Sequence, residues 1–190
     1  MGEEVFSRGA QQVGGMAGAL VYGICMGVLA AVALAAVHRR SPAGDVWRQA
    51  AAFGLVGFVT LALVPALKYP ANPPGIGDPQ TIGRRTLLFL VAVAWSVLAS
   101  WCSWRLWVHL RSWPEHGRAA ATAGLYAGLV TAAFVLLPGP VDPVDAPATL
   151  VWEFRVSSLA GAALFWSVLG WTLGYLAGHD ASVATRAGAP

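Results

Sequence analysis

The charged side chains that could bind an ion are concentrated in two proline-rich segments, residues 68–85 and 138–155. Carboxylate oxygens suit a hard cation and basic groups suit an anion, whereas neighbouring opposite charges also tend to pair. Two roles stay open for these groups. They could form an entry site for an ion, or they could form a network of ion pairs that holds one segment against the other. We favour the network. The groups concerned are Lys68, Asp78, Arg84, Arg85, Asp142, Asp145, Glu153 and Arg155.

Softer metal ligands are limited to His38, His109, His116, His179, Cys25 and Cys102. Imidazole and thiolate suit Co, Ni, Cu and Zn. The histidines show no HxH or HxxxH spacing, and three of them follow a helical run, where the helix dipole favours a cationic side chain. Neither cysteine belongs to a CxxC motif. We therefore favour a helix-terminal role for the histidines and a small apolar role for the cysteines.

The elements that position these groups are long apolar runs. The chain has 190 residues, 57% hydrophobic and 11% charged, with a mean hydropathy of +0.61. Five windows contain no Asp, Glu, Lys, Arg or His: 9–37, 49–67, 86–104, 119–141 and 156–178. Since about 20 apolar residues cross a membrane as a helix, we predict an all-α bundle of five transmembrane helices in a single integral membrane domain. Its spans are expected at 14–37, 47–67, 86–107, 119–137 and 155–178.

The same composition excludes several classes of protein. Soluble domains carry about 25% charged residues, and disordered chains are poor in apolar residues. The chain has no dense basic patch for nucleic acid, and no HExxH or GxSxG motif of an enzyme. Because the five windows lack Asp, Glu, Lys, Arg and His, a self-contained pump is disfavoured, and ion handling is expected at the loops or with a partner.

Basic residues predict how the chain is oriented in the membrane. With five spans, seven Lys and Arg residues lie on the side of the C-terminus and five on the other side. The positive-inside rule then places the C-terminus in the cytoplasm and the N-terminus outside, in the plasma (inner) membrane. Both proline-rich segments fall on the outer side.

Prolines and glycines predict how the helices are capped and packed. Eight of the twelve prolines lie in the two outer segments, which are therefore expected to form stiff, extended loops. Gly170, Gly174 and Gly178 recur at four-residue spacing in the last span. Such a stripe predicts a packed helix face, within the chain or against a partner or second copy.

Three segments resemble the CbtA family of probable cobalt transporter subunits. These are LVPALKYPANPPGIGDPQTIGRRT (63–86), LVWEFRVSSLAG (150–161) and, more weakly, SRGAQQVGG (7–15). The positions that carry the resemblance are Lys68, Tyr69, Pro70, Asn72, Pro73, Pro74, Gly77, Asp78, Arg84, Arg85, Phe154 and Arg155.

The resemblance implies a membrane component of cobalt uptake linked to cobalamin synthesis, often beside a small single-span partner that carries histidines. Family members often have a further N-terminal span and a polar segment before the SRxxQ stretch. This chain begins at that stretch, so we expect a short member of the family.

We therefore expect a subunit of a divalent-cation uptake system, with cobalt as the expected ion, that is not an enzyme and holds no tight cofactor. Co²⁺ would be the transported ion, and Asp78, Asn72 and Glu153 would contact it at the outer mouth. Lys68, Arg84, Arg85 and Arg155 would order the loops. The alternative is a non-transporting scaffold or accessory protein that stabilises a partner.

Overall fold

The computed structural model describes residues 7–40, 45–140 and 144–186, which contain helices and loops and no strand. A π-helical turn, Val59–Leu63, joins the second and third helices, and a 3-10 turn, Pro79–Thr81, leads into the fourth. In chain order the helices are α1 (Arg8–Arg40), α2 (Val46–Phe58), α3 (Val64–Lys68), α4 (Ile82–His109), α5 (Glu115–Leu136) and α6 (Ala148–Arg186).

Five helical stretches in the described chain are long and apolar enough to cross a membrane. They are Arg8–Arg39, Val46–Lys68, Pro79–His109, Glu115–Leu136 and Ala148–His179. The all-α fold with five spanning helices is therefore confirmed. Their large exposed apolar side chains, such as Val135 at 76%, are those expected to face lipid. The single domain and the span boundaries stay predictions.

The second span is irregular because it contains Pro65, which has no N–H and whose ring clashes with the carbonyl one turn earlier. The backbone N–H of Val64 donates to the carbonyl of Val59, five residues back, which widens the helix into a π turn. Pro65 itself is fully buried. The π turn thus accommodates Pro65 within the second span, and the helix continues beyond it.

Helices α4 and α5 run antiparallel and are joined by side-chain hydrogen bonds at two levels. The Trp95 indole Nε1–H donates to the carbonyl of Leu129 at 2.9 Å. Near the other end, Arg118 Nε donates to the carbonyl of Trp107 at 2.7 Å, and its guanidinium lies 3.7 Å from the Trp107 ring centroid. This arginine caps the last turn of α4, where the carbonyls lack helical donors.

The helices form two packing units. The first comprises the chain up to Phe53 together with the chain from Leu169; its core is formed by Ala30, Leu34, Ala50 and Leu173. In this unit the ring of Trp47 lies where a Cβ on Gly174 or Gly178 would project, as near as 2.7 Å and 3.0 Å respectively. Both glycines of α6 thus allow a tryptophan to approach the helix backbone.

The second unit comprises Gly54–Val168 and contains both proline-rich loops. Gly57 on α2 faces the ring of Trp166 on α6 so closely that a Cβ would overlap it. Thr60 and Ser100 join the π turn to α4 through a 2.7 Å hydrogen bond between their hydroxyls. These contacts fix α2 against α4 and α6 below the loops.

Candidate functional site

The first proline-rich loop, residues 69–81, is an ordered turn rather than a loose connection. The N–H of Ile76 donates to the carbonyl of Pro73 at 3.2 Å, which closes a turn. Gly75 and Gly77 have φ of 81° and 110°, backbone values that favour glycine. Asp78 Oδ1 accepts the Gln80 N–H at 2.9 Å and caps the 3-10 turn. The glycines and the aspartate of the motif therefore shape this loop, which we call the motif loop.

Lys68 and Tyr69 fasten the start of the motif loop to the end of α5. Lys68 Nζ donates to the carbonyl of Phe134 at 2.9 Å and lies 5.8 Å from the centroids of the Tyr69 and Phe134 rings. The Tyr69 hydroxyl donates to the carbonyl of Pro138 at 2.8 Å. The last carbonyls of a helix lack helical donors and carry partial negative charge, so a lysine is favoured there.

Arg155, near the start of α6, fastens the middle of the motif loop. Its Nε donates to the carbonyl of Ala71 at 3.2 Å, and its Nη2 donates to Asn72 Oδ1 at 3.0 Å. Hydrogen bonds from a charged donor contribute about 1.5–3 kcal/mol each. A single side chain thus connects the fifth span to the loop between the second and third spans.

A cavity of about 660 Å³ lies beneath the motif loop, a volume typical of small-molecule sites. We call it the loop cavity. The motif loop contributes Tyr69, Asn72 and Pro73 to its wall. Leu61 of the π turn and Ala162 of α6 also line it. The cavity therefore connects the loop to the irregular part of the second span.

Electrostatically, the lining of the loop cavity is basic. Arg85 and Arg155 line it, and Asn72, Thr86 and Ser158 add neutral polar groups. Among its described lining residues there is no Asp, Glu, His or Cys. This wall can accept hydrogen-bonding or partly anionic species, and it supplies no ligand set for a bare divalent cation.

Of the three residues predicted to contact an ion, Asn72 alone belongs to the described lining of the loop cavity. Asn72 lines the loop cavity, where its oxygen accepts the hydrogen bond from Arg155. Asp78 and Glu153 are exposed and lie outside the cavity lining. Their predicted contacts with an ion stay predictions. Asp142, also a candidate, lies outside the described residues.

Histidines and cysteines are also dispersed. His38 Nδ1 lies 3.0 Å from Gln49 Oε1, and the His179 ring stacks on Tyr175. Cys25 and Cys102 are free thiols. Within 7–40, 45–140 and 144–186, no group of three or more His, Cys, Asp or Glu residues is arranged to hold a metal ion.

Comparison with known proteins gives one result. A family model described as "Probable cobalt transporter subunit (CbtA)" matches residues 1–178. The chain belongs to the CbtA family. No curated protein and no solved structure matches it significantly. The resemblance seen in three short segments is thereby confirmed, and this CbtA protein is a multi-pass membrane protein of a transporter-subunit family.

Sequence reasoning missed the acceptors that tie the loops of this CbtA protein. It expected Lys68 and Arg155 to order the loops by pairing with carboxylates. The structure instead shows bonds to the carbonyls of Ala71 and Phe134 and to the Asn72 amide. Two of these three acceptors are backbone carbonyls, which are present at every position, so no residue type could have indicated them.

Replacing Tyr69 by phenylalanine is expected to lower the stability of this CbtA protein by about 1 kcal/mol, through loss of the bond to Pro138. Desolvation by burial raises the pKa of the Tyr69 phenol above its usual value. The neutral phenol therefore contributes fully below the unfolded pKa of about 10, and the contribution disappears as pH rises through the higher folded pKa. The free energies of unfolding of the parent and the variant, measured by thermal unfolding in detergent, should differ by a constant amount from about pH 6 to 9. Above that range the two values should converge. A difference that vanishes at neutral pH would contradict this assignment.

Proposed function

We propose that this CbtA protein is the membrane subunit of a divalent-cation uptake system, with cobalt as the cargo and the loop cavity as the mouth of the route. It would act without catalysis. The observation that carries the proposal is the cavity itself: residues of the KYPxNPP motif line it, and Arg155 of the last span fastens the loop above it. The description of the family as probable cobalt transporter subunits supports the cargo.

The composition of the cavity wall favours capture of the metal by a partner protein before it reaches the cavity. A bare Co²⁺ beside Arg85 and Arg155, with no carboxylate on the described lining, would be repelled rather than retained. We therefore propose that a small single-span subunit carrying histidines captures the metal and delivers it to the loop cavity. Asn72 would then be its first contact inside, with Asp78 and Glu153 acting at the exposed surface.

The proposed setting is the plasma membrane, with the motif loop outside and the C-terminus in the cytoplasm, in a pathway that supplies cobalt to cobalamin synthesis. The exposed position of Asp78 allows a test of orientation. An Asp78→Cys variant in intact cells should react with a membrane-impermeant maleimide, while the parent chain with Cys25 and Cys102 should not. Labelling only after cell lysis would show that the motif loop lies in the cytoplasm, which is the opposite orientation.

Uptake of radiolabelled cobalt in cells with and without this chain tests the function. We expect uptake at low external cobalt to fall to background on deletion and to return when the chain is restored. Unchanged uptake on deletion would overturn the transport role. Growth that depends on cobalamin made in the cell should fall in parallel if the cobalamin link is correct.

An accessory role is the second candidate, and the absence of a grouped metal-ligand set in the described residues favours it. An accessory protein would stabilise a transporting partner through contacts between spans. In that case deletion would lower the abundance of the partner in the membrane, and restoring the partner alone by overexpression would recover cobalt uptake. Recovery that requires this chain at normal partner abundance would exclude the accessory role.

A further inference from the structure

The π turn in the second span leaves two carbonyls without their ordinary helical donors. In an α-helix the carbonyl of Thr60 would accept from Val64 and that of Leu61 from residue 65. The N–H of Val64 donates to Val59 instead, and residue 65 is a proline with no N–H. Irregular backbone within a membrane is tolerated only where it is buried in protein or lines a cavity, and here Leu61 lines the loop cavity.

A row of serine hydroxyls lies on the face of α4 that contacts this turn through Ser100. Thr60 is 6% exposed, and its Oγ1 is 2.7 Å from Ser100 Oγ on α4. Ser96 and Ser103 lie one turn to either side of Ser100 on the same face of α4. They are 1% and 6% exposed, and neither hydroxyl has a hydrogen-bond partner. A buried polar group without a partner costs about 1–3 kcal/mol, which indicates a ligand or water at these oxygens.

From this arrangement we propose a binding site for a small monovalent cation, Na⁺, at the π turn. Its ligands are the released carbonyls of Thr60 and Leu61 and the hydroxyls of Thr60, Ser96 and Ser100. Carbonyl oxygens exposed by broken helices coordinate Na⁺ in membrane transporters. The role of this ion, which rests on the proposed uptake function, is to couple its own gradient to movement of the cargo through the adjoining loop cavity.

The chemistry of the oxygens selects the class of ion. Every ligand is neutral, and the windows around the site contain no Asp, Glu, Lys, Arg or His. A divalent cation would leave two uncompensated charges in a low-dielectric interior, against one for Na⁺. A proton is excluded because hydroxyls and carbonyls do not titrate near neutral pH, and no carboxyl or imidazole is available within the windows.

Thermal unfolding of the purified full-length protein in detergent, followed by tryptophan fluorescence, tests the site. NaCl is titrated against choline chloride at constant ionic strength, with KCl in parallel. Binding to the folded state raises the midpoint in a saturable way. We expect a shift with Na⁺ that is larger than with K⁺. Absence of a shift that depends on Na⁺ in the parent protein would overturn the site.

Four variants locate the effect. Thr60→Val and Ser96→Ala each remove one oxygen without adding bulk and should weaken the apparent Na⁺ affinity about tenfold or more, whereas Thr60→Ser keeps the hydroxyl and should retain it. The matched control is Thr131→Val, because Thr131 is exposed on α5. Equal Na⁺ responses in Thr60→Val and Thr131→Val would contradict the assignment.

Cobalt uptake in Na⁺ or choline buffer separates the two proposals. Loss of uptake in choline, together with the Na⁺ shift in vitro, supports coupling. Uptake that continues undiminished in choline overturns the coupling while leaving the transport role intact. A Na⁺ shift in a protein whose deletion leaves cobalt uptake unchanged overturns the transport role and retains the site.

Discussion

Gly57→Ala is expected to reduce sharply the folded yield and thermal stability of the protein. The Cβ of an alanine would overlap the six-membered part of the Trp166 ring. Trp166 is only 4% exposed, so the ring has no solvent or lipid side into which it can turn. Overpacking a well-packed site costs about 1–3 kcal/mol, and this overlap falls at or above the upper end. The measurement is the unfolding midpoint in detergent, with the amount of protein in the membrane.

Gly128→Ala is the matched control for this prediction. Gly128 also lies inside a spanning helix, α5, but a Cβ built there meets nothing within 4 Å. An alanine in that position improves helix propensity by about 1 kcal/mol and displaces no neighbour. The control should fold as well as the parent or better. Equal stability of the two variants would show that Trp166 does not pack against Gly57 as the structure has it.

Arg155→Met is expected to abolish cobalt uptake while most of the protein remains in the membrane. The substitution removes both hydrogen bonds to the motif loop and leaves the Ala71 carbonyl and the Asn72 amide oxygen without their donor. The motif loop is then no longer joined to the fifth span through residue 155, and the wall of the loop cavity is no longer fixed at that point. A tenfold fall in uptake corresponds to a free-energy change of about 1.4 kcal/mol. The two hydrogen bonds of Arg155 together contribute more than this, so a fall of tenfold or more is expected.

Arg84→Met is the control for the arginine prediction. Arg84 belongs to the same motif, yet its side chain is exposed and does not line the cavity. It should retain most uptake. Uptake that is normal or increased in Arg155→Met would show that the charge of Arg155 hinders the route instead of ordering it.

Much of the fold could be predicted from the distribution of charge alone. Because lipid requires every backbone group to be bonded within the segment, five long windows without charge sufficed to predict five helices. The ordering of the motif loop could be anticipated as well, since prolines and glycines restrict the backbone locally. Gly75 and Gly77 adopt the positive φ values that such residues permit.

The interior of the site could not be predicted in this way. Pro65 lies within an otherwise ordinary apolar window, and nothing in its neighbours indicates that the helix widens into a π turn instead of ending. Gly57 has no glycine four residues away, so the four-residue pattern does not mark it, although its backbone meets Trp166. The acidic residues were predicted to contact the ion because of their charge. The groups at the cavity wall are mostly neutral, and their positions depend on how the helices pack.

The most direct test of the route is to fill the loop cavity from one side. Ala162→Trp places a large ring at a residue that lines the cavity, and Leu164→Trp places the same ring on α6 at a side chain that is 66% exposed. Radiolabelled cobalt uptake is measured in cells that lack the native chain and express each variant at equal membrane level. If the cavity is the route, uptake falls to background in Ala162→Trp and stays near the parent value in Leu164→Trp. Parent-level uptake in Ala162→Trp would contradict it.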